Sequence, residues 1–332
     1  MNVRAREVPA YWAAFKNLSE PLSDIEIRHS GRDASEVITY RSERADGPTI
    51  LLISPPESPF LLVSPLYVVL SDKFSVLAWD PVRATFMDCG PDDPVPSVRD
   101  HADQLRSVLE SLDDRPTHLV TWCSGALTGL QYIADRPQSI ASATFIAPPS
   151  LLSSDPERTA FQSGFIEKVL RMALFGAEER SRIYRQLRDG QDLLPETTVA
   201  EATLKRLTGM LWQSEARATR YARSILLACT PTGTATKKGA ETGYRETLRE
   251  LARNVPVSVI HSSDDQLVSL SNARAIAREN PEVQLRILNH GGHFAVHTCA
   301  DELAELVLEG ISSRKQLPNT LAGNPTRHKG RW

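Results

Sequence analysis

The chain of 332 residues has little cysteine, no long hydrophobic run and no excess of either charge. Its four cysteines, Cys89, Cys123, Cys229 and Cys299, are too scattered for a zinc site or a disulfide framework, so a reducing, cytoplasmic setting is expected. The most apolar stretch, Ile50 to Leu70, is broken by four prolines and Glu57, which excludes a membrane span there. Met1 to Pro9 carries basic residues but lacks the uninterrupted apolar segment of a signal peptide, so export is not expected. Lys plus Arg number 38 against 41 Asp plus Glu, and a net charge of -3 offers no general attraction to nucleic acid or anionic membrane.

What is present is an alternation of strand and helix patterns. Ile25, Ile27, Val37, Ile38 and Tyr40 alternate with polar residues around the turn signal Gly31 to Asp33, which predicts an antiparallel pair of edge strands. Thr49 to Ser54, Phe74 to Trp79, His118 to Trp122 and Ser142 to Ala147 are apolar throughout, as strands covered on both faces must be. Helical spacing falls between them, over Pro65 to Asp72, Val98 to Leu112 and Ser124 to Ala134. Such a succession predicts an α/β fold, a parallel sheet with helices on both faces.

After Pro149 the pattern changes. From about Pro156 to Leu227 the periodicity is helical without a strand signal, and Thr230 to Gly239 is a polar connector. The alternation resumes with strand Val255 to His261, a helix from Leu270 to Glu279, strand Val283 to Leu288 and a helix from Ala300 to Ile311. The expected organisation is a core over 1–150 and 241–312, interrupted by a helical insertion over 151–240 and followed by a disordered basic tail over 313–332.

The chemistry-bearing feature is Thr117-His-Leu-Val-Thr-Trp-Cys-Ser-Gly-Ala126, where a buried strand turns sharply into a helix. Strand and helix backbones nearly touch at such a bend, so the residues two before and two after its apex must be small. Centring it on Cys123 places Thr121 and Gly125 there. Centring it on Ser124 would place the Trp122 indole there, which sterics forbid. A thiol at the first turn of a helix meets the positive end of the helix dipole, which favours its anionic form. The competing reading of Cys123 is a buried structural cysteine.

Two later loops, each following a predicted strand, carry the residues a nucleophile needs. His261-Ser-Ser-Asp-Asp-Gln-Leu-Val268 offers Asp265, with Asp264 as the alternative, and Leu288-Asn-His-Gly-Gly-His-Phe294 offers His293. These three motifs, in this order, resemble the α/β-hydrolase superfamily from about Ile25 to Ile311. The resemblance implies an α/β-hydrolase fold with an inserted helical lid, a catalytic triad Cys123, His293 and Asp265, and no cofactor. His290, His293 and His297 also invite a metal reading, but Gly291-Gly292 breaks the helix that would align them, so no metal is expected.

Within the superfamily, sulfur at the bend is similar to dienelactone hydrolases, polyhydroxyalkanoate synthases and some thioesterase domains. The insertion is similar to the lids of lipases, thioesterases and haloalkane dehalogenases. The implied substrate is a small-molecule ester or thioester, free or attached to a carrier protein, hydrolysed through an acyl-cysteine. Acyl transfer or cyclisation, and a non-catalytic ligand-binding role, are the alternatives. The oxyanion hole of the family takes one N–H from the residue after the nucleophile, here Ser124, and one from the loop after the third strand. That loop reads Ser54-Pro-Pro-Glu57, and Pro56 has no N–H to give, so Glu57 supplies the second donor or the hole has one. Pro56, Trp122, Phe165, Phe175 and Trp212 are the candidate substrate contacts.

Overall fold

A computed structural model describes residues 26–30, 37–42, 48–56, 58–81, 94–109, 117–136, 139–154, 157–191, 199–229 and 237–312. Glu57, the turn at Gly31 to Asp33, most of the polar connector and the basic tail lie outside the described residues.

Eight strands form one sheet: β1 (Glu26–Ser30), β2 (Val37–Ser42), β3 (Thr49–Ile53), β4 (Ser75–Pro81), β5 (Thr117–Trp122), β6 (Ile140–Ile146), β7 (Val257–Ser262) and β8 (Val283–Leu288). Their order across the sheet is β1-β2-β4-β3-β5-β6-β7-β8. β1 and β2 pair antiparallel, as does β2 with β4, and all other pairs are parallel. β1 is an edge strand as expected, but β2 is not. It lies between β1 and β4, because its second row of backbone groups is satisfied by the register Val37↔Pro81 to Ser42↔Val76.

Every residue of β5, β6 and β7 is buried, so the apolar runs are explained by helices on both faces. On one face lie α2 (Val98–Leu109), α3 (Gly125–Asp135), α8 (Lys237–Asn254) and α9 (Leu270–Glu279), which bury Ala102, Leu105, Leu127, Leu130, Leu248 and Ile276 against Leu119, Phe145 and Val259. On the other lie α1 (Ser64–Ser71), α10 (Ala295–Thr298) and α11 (Ala300–Ser312), packing Leu66, Val296, Leu303 and Val307 against Val120 and Ile260. α8 was not anticipated. No helical pattern is expected between Gly239 and Val255, yet α8 forms there, within the 241–312 part expected of the core, and is held on the sheet by Leu248, Leu251 and Ala252.

Between β6 and α8 stand α4 (Ala160–Leu174), α5 (Ala177–Gln191), α6 (Val199–Gly209) and α7 (Glu215–Cys229). They have a small core of their own: Val169, Met172, Ile183, Trp212, Ala218 and Ala222. Leu204, Leu207 and Met210 join the main core instead, and α6 rests on α10 and on the Phe60–Leu62 turn. No helix among the described residues is long and apolar enough to cross a membrane.

The strand order places the chemistry. The connection after β3 runs to β4 on one side, and the chain then crosses to β5 on the other, so a crevice opens at the carboxyl ends of β3 and β5. Cys123 directly follows β5 at that point.

Candidate active site

The bend at Cys123 is built by sterics. Cys123 has φ 50, a left-handed conformation that an L-residue other than glycine adopts only when its surroundings impose it. Its N–H is held by the Ile146 carbonyl at 2.9 Å, and its own carbonyl accepts from Ala126 N–H at 3.1 Å, opening α3. Gly125 follows for a measurable reason: a Cβ there would lie 2.6 Å from the Ile53 carbonyl oxygen and 2.8 Å from that of Ser54. Thr121, the small residue on the strand side, is fully buried. Cys123 remains partly exposed, so the sulfur is not sealed inside.

His293 and Asp265 meet it from two loops. Gly291 and Gly292 have φ 106 and 60, which turn the chain after β8 so that His293 comes back over the sheet. His293 Nδ1 donates to Asp265 Oδ2 at 2.9 Å, which leaves Nε2 as the nitrogen to serve the Cys123 sulfur, with which the ring interacts electrostatically. Asp265 Oδ1 accepts from the Leu267 and Val268 amides at 2.8 and 2.9 Å, so the carboxylate is gripped on both oxygens. Asp264 points elsewhere: its Oδ1 accepts from Gly292 N–H at 2.9 Å and from the Ser262 hydroxyl, bracing the glycine turn.

Burial would push the His293 imidazole down. The Cys123 sulfur outweighs it, with the Asp265 charge and hydrogen bond adding to the effect, and holds the ring at about 10. For Asp265 burial acts upward, but the imidazole and the backbone donors prevail and keep the carboxyl below its ordinary range. The raised His293 contributes stability in full below its ordinary value of 6.5 and loses it as pH rises through about 10. The lowered Asp265 contributes above its ordinary 3.8 and loses that as pH falls through its depressed value. NMR of histidine-labelled protein should therefore find His293 protonated at neutral pH. In Cys123→Ala, with the largest upward cause removed, its titration should move down, and an unchanged titration would show that sulfur and ring are not coupled.

Two neighbours orient this trio. Trp122 Nε1 donates to the His293 carbonyl at 2.9 Å and its ring lies 5.5 Å from the imidazole, so Trp122 positions the histidine loop. At 2 % exposure it offers no surface to a substrate. His261, to which no motif assigns a role, donates from Nε2 to the Val268 carbonyl at 3.0 Å and lies 3.7 Å from Asp265 Oδ2. Burial lowers its pKa, so it closes the acid loop as a neutral ring.

The predicted substrate contacts divide. Pro56 is at the crevice, in the turn closed by Ser58 N–H to the Pro55 carbonyl at 3.1 Å. Phe165 packs edge-on to Trp212 at 6.4 Å, and Trp212 edge-on to Tyr221 at 5.6 Å. Tyr221, which no motif singled out, interacts electrostatically with Cys123. Phe175 is a correction: it caps the end of α4 at 54 % exposure beneath the Arg171 guanidinium and belongs to no such pocket. A glycine follows it, and α4 ends before the ring can turn inward. The three histidines of the metal reading diverge, with His290 beside Glu302, His293 on Asp265 and His297 against the Leu61 and Leu62 backbone. No cluster of metal-binding side chains occurs among the described residues.

A family model described as the alpha/beta hydrolase fold matches residues 70–298. The chain belongs to that family. No curated protein matches it in sequence. Solved structures of hydrolase-fold proteins are similar along nearly their whole length. The thioesterase domain from the curacin biosynthetic pathway is 18% identical, with 86% of this chain and 99% of that one covered at a TM-score of 0.58. A carboxylesterase from Bacillus subtilis is 14% identical, covering 92% and 98% at 0.58. A haloalkane dehalogenase from Bradyrhizobium elkani is 16% identical, covering 88% and 100% at 0.65. At these identities the likeness shows the shared hydrolase fold, and the chemistry has to come from the site.

Proposed function

We propose that this alpha/beta hydrolase cleaves an ester or thioester through an acyl-cysteine formed on Cys123. The observation that carries the reading is the coupling of Cys123 to His293, whose far nitrogen is held by the buried Asp265 at 2.9 Å. A positioned imidazole and an orienting carboxylate are what a thiol needs to act as a nucleophile. His293, which carries a proton at neutral pH, gives it to the leaving group, while Asp265 holds the ring in the orientation that keeps Nε2 toward sulfur. Water, activated by the same imidazole, then releases the acid. The α4–α7 insertion acts as a lid, with Leu207 and Met210 packed on the core beside the site.

The test is intact-protein mass spectrometry after exposure to S-phenyl thiobutyrate. A butyryl adduct on the wild type that is missing from Cys123→Ala is the expected result, and an adduct that persists in the variant would sink the assignment. Challenging the trapped acyl-enzyme with water or an amine distinguishes hydrolysis from acyl transfer, the alternative that a covering lid favours by limiting water.

A further inference from the structure

Val268, which closes the acid loop, is held on both sides. Its N–H goes to Asp265 Oδ1 at 2.9 Å, and its carbonyl accepts from His261 Nε2 at 3.0 Å. His261 stands on β7, in register with Ile287 of β8, and its side chain is fully buried, so the loop is tied to the interior of the sheet.

That bond also settles where the His261 proton sits. A carbonyl oxygen only accepts, so Nε2 carries the hydrogen. Nδ1 is buried with no hydrogen-bond partner among the described residues, and a second proton there would be a buried charge with no acceptor. Asp265 Oδ2 lies between two imidazoles, 2.9 Å from His293 Nδ1 and 3.7 Å from His261 Nε2. The longer separation is beyond a hydrogen bond, and the His261 hydrogen is already given to Val268. Oδ2 is therefore not divided between the two rings, and its charge serves His293.

Resting on the functional reading above, we infer that His261 is a positioning residue for the reaction at Cys123. It pins Val268 to the sheet, and Val268 in turn fixes the rotation of the Asp265 carboxylate, which aims Oδ2 at His293 Nδ1. A carboxylate held at Oδ1 by the Leu267 and Val268 amides swings only if those amides move. The His261 bond is what stops Val268 from moving. Without it the loop loosens and Oδ2 drifts from Nδ1, so the imidazole loses both its orientation toward the sulfur and part of the charge that keeps it protonated. His261 itself touches no reacting atom, and no bond forms or breaks at its ring.

His261→Phe fills the same space without a donor. The expected result is acylation by S-phenyl thiobutyrate slowed about tenfold, the scale of one lost hydrogen bond, together with a His293 NMR titration that moves down from about 10. His261→Gln places a carboxamide N–H where Nε2 stood. It should bring acylation back to within about threefold of wild type and return the His293 titration to its wild-type position. Should the phenylalanine variant not fold, His261→Asn takes its place, because the shorter carboxamide reaches only the Nδ1 position and leaves the Val268 carbonyl bare. Wild-type acylation in the donorless variant overturns the inference. So does slowing with the His293 titration unmoved, which would make His261 a packing residue and no more, and so does a glutamine variant as slow as the phenylalanine one. A wild type that takes no acyl group ends the functional reading at Cys123, and the His293 titrations then still decide whether His261 holds Asp265 in place.

Discussion

Replacing Asp265 with asparagine is expected to slow acylation of Cys123 by about 10³–10⁴-fold, on the scale seen when a triad carboxylate is made neutral, while the fold stands. The asparagine carbonyl takes over Oδ1 and keeps the Leu267 and Val268 amides satisfied. Its NH2 group replaces Oδ2 and points a donor at His293 Nδ1, where the wild type has an acceptor at 2.9 Å. The ring proton is forced to Nε2, and a nitrogen that carries a proton cannot accept one from the thiol. Asp264→Asn is the control. Its Oδ1 accepts from Gly292 and Ser262, and a carboxamide oxygen does the same, so acylation should change less than about threefold, the scale of a conserved hydrogen bond. Single-turnover rates decide the matter: if Asp264→Asn is the crippled variant, the wrong carboxylate has been assigned.

Gly125→Ala is expected to damage the protein more broadly. The new methyl would meet the carbonyl oxygens of Ile53 and Ser54 at 2.6 and 2.8 Å, and both belong to the backbone at the end of the central strand β3. Neither can turn aside as a side chain would, so α3 or β3 must move. Overpacking of this kind costs about 3 kcal/mol, which for a chain of this length lowers the melting temperature by roughly 4 °C. The same shift separates Cys123 from the β3 side of the crevice, and a displacement near 1 Å lowers the acylation rate about 100-fold. Calorimetry and the acyl-adduct assay together check this. A variant that melts and reacts like the wild type would mean that the contact is not tight.

Much of this architecture was legible because burial on both faces of a parallel sheet writes itself into composition. β8 and α9 fall on Val283–Leu288 and Leu270–Glu279, the bounds expected from periodicity. α8 was not legible, since its charged residues conceal the one face that buries Leu248, Leu251 and Ala252. β2 was placed at the edge because alternation reveals one buried face and not which strand pairs on each side. Phe175 looked like a pocket residue on spacing alone, and the end of α4 leaves it in solvent.

The sequence by itself determined which residue stands at the bend. An indole at 122 cannot occupy the small position and a glycine at 125 can, and that steric choice is local, made within five residues. Only the tertiary structure decided which of two adjacent aspartates holds the imidazole, and that Trp122 ties the histidine loop to the bend. Those partners lie 28 and 171 positions apart. Their meeting is set by loop closure and helix packing, which no short stretch of residues encodes.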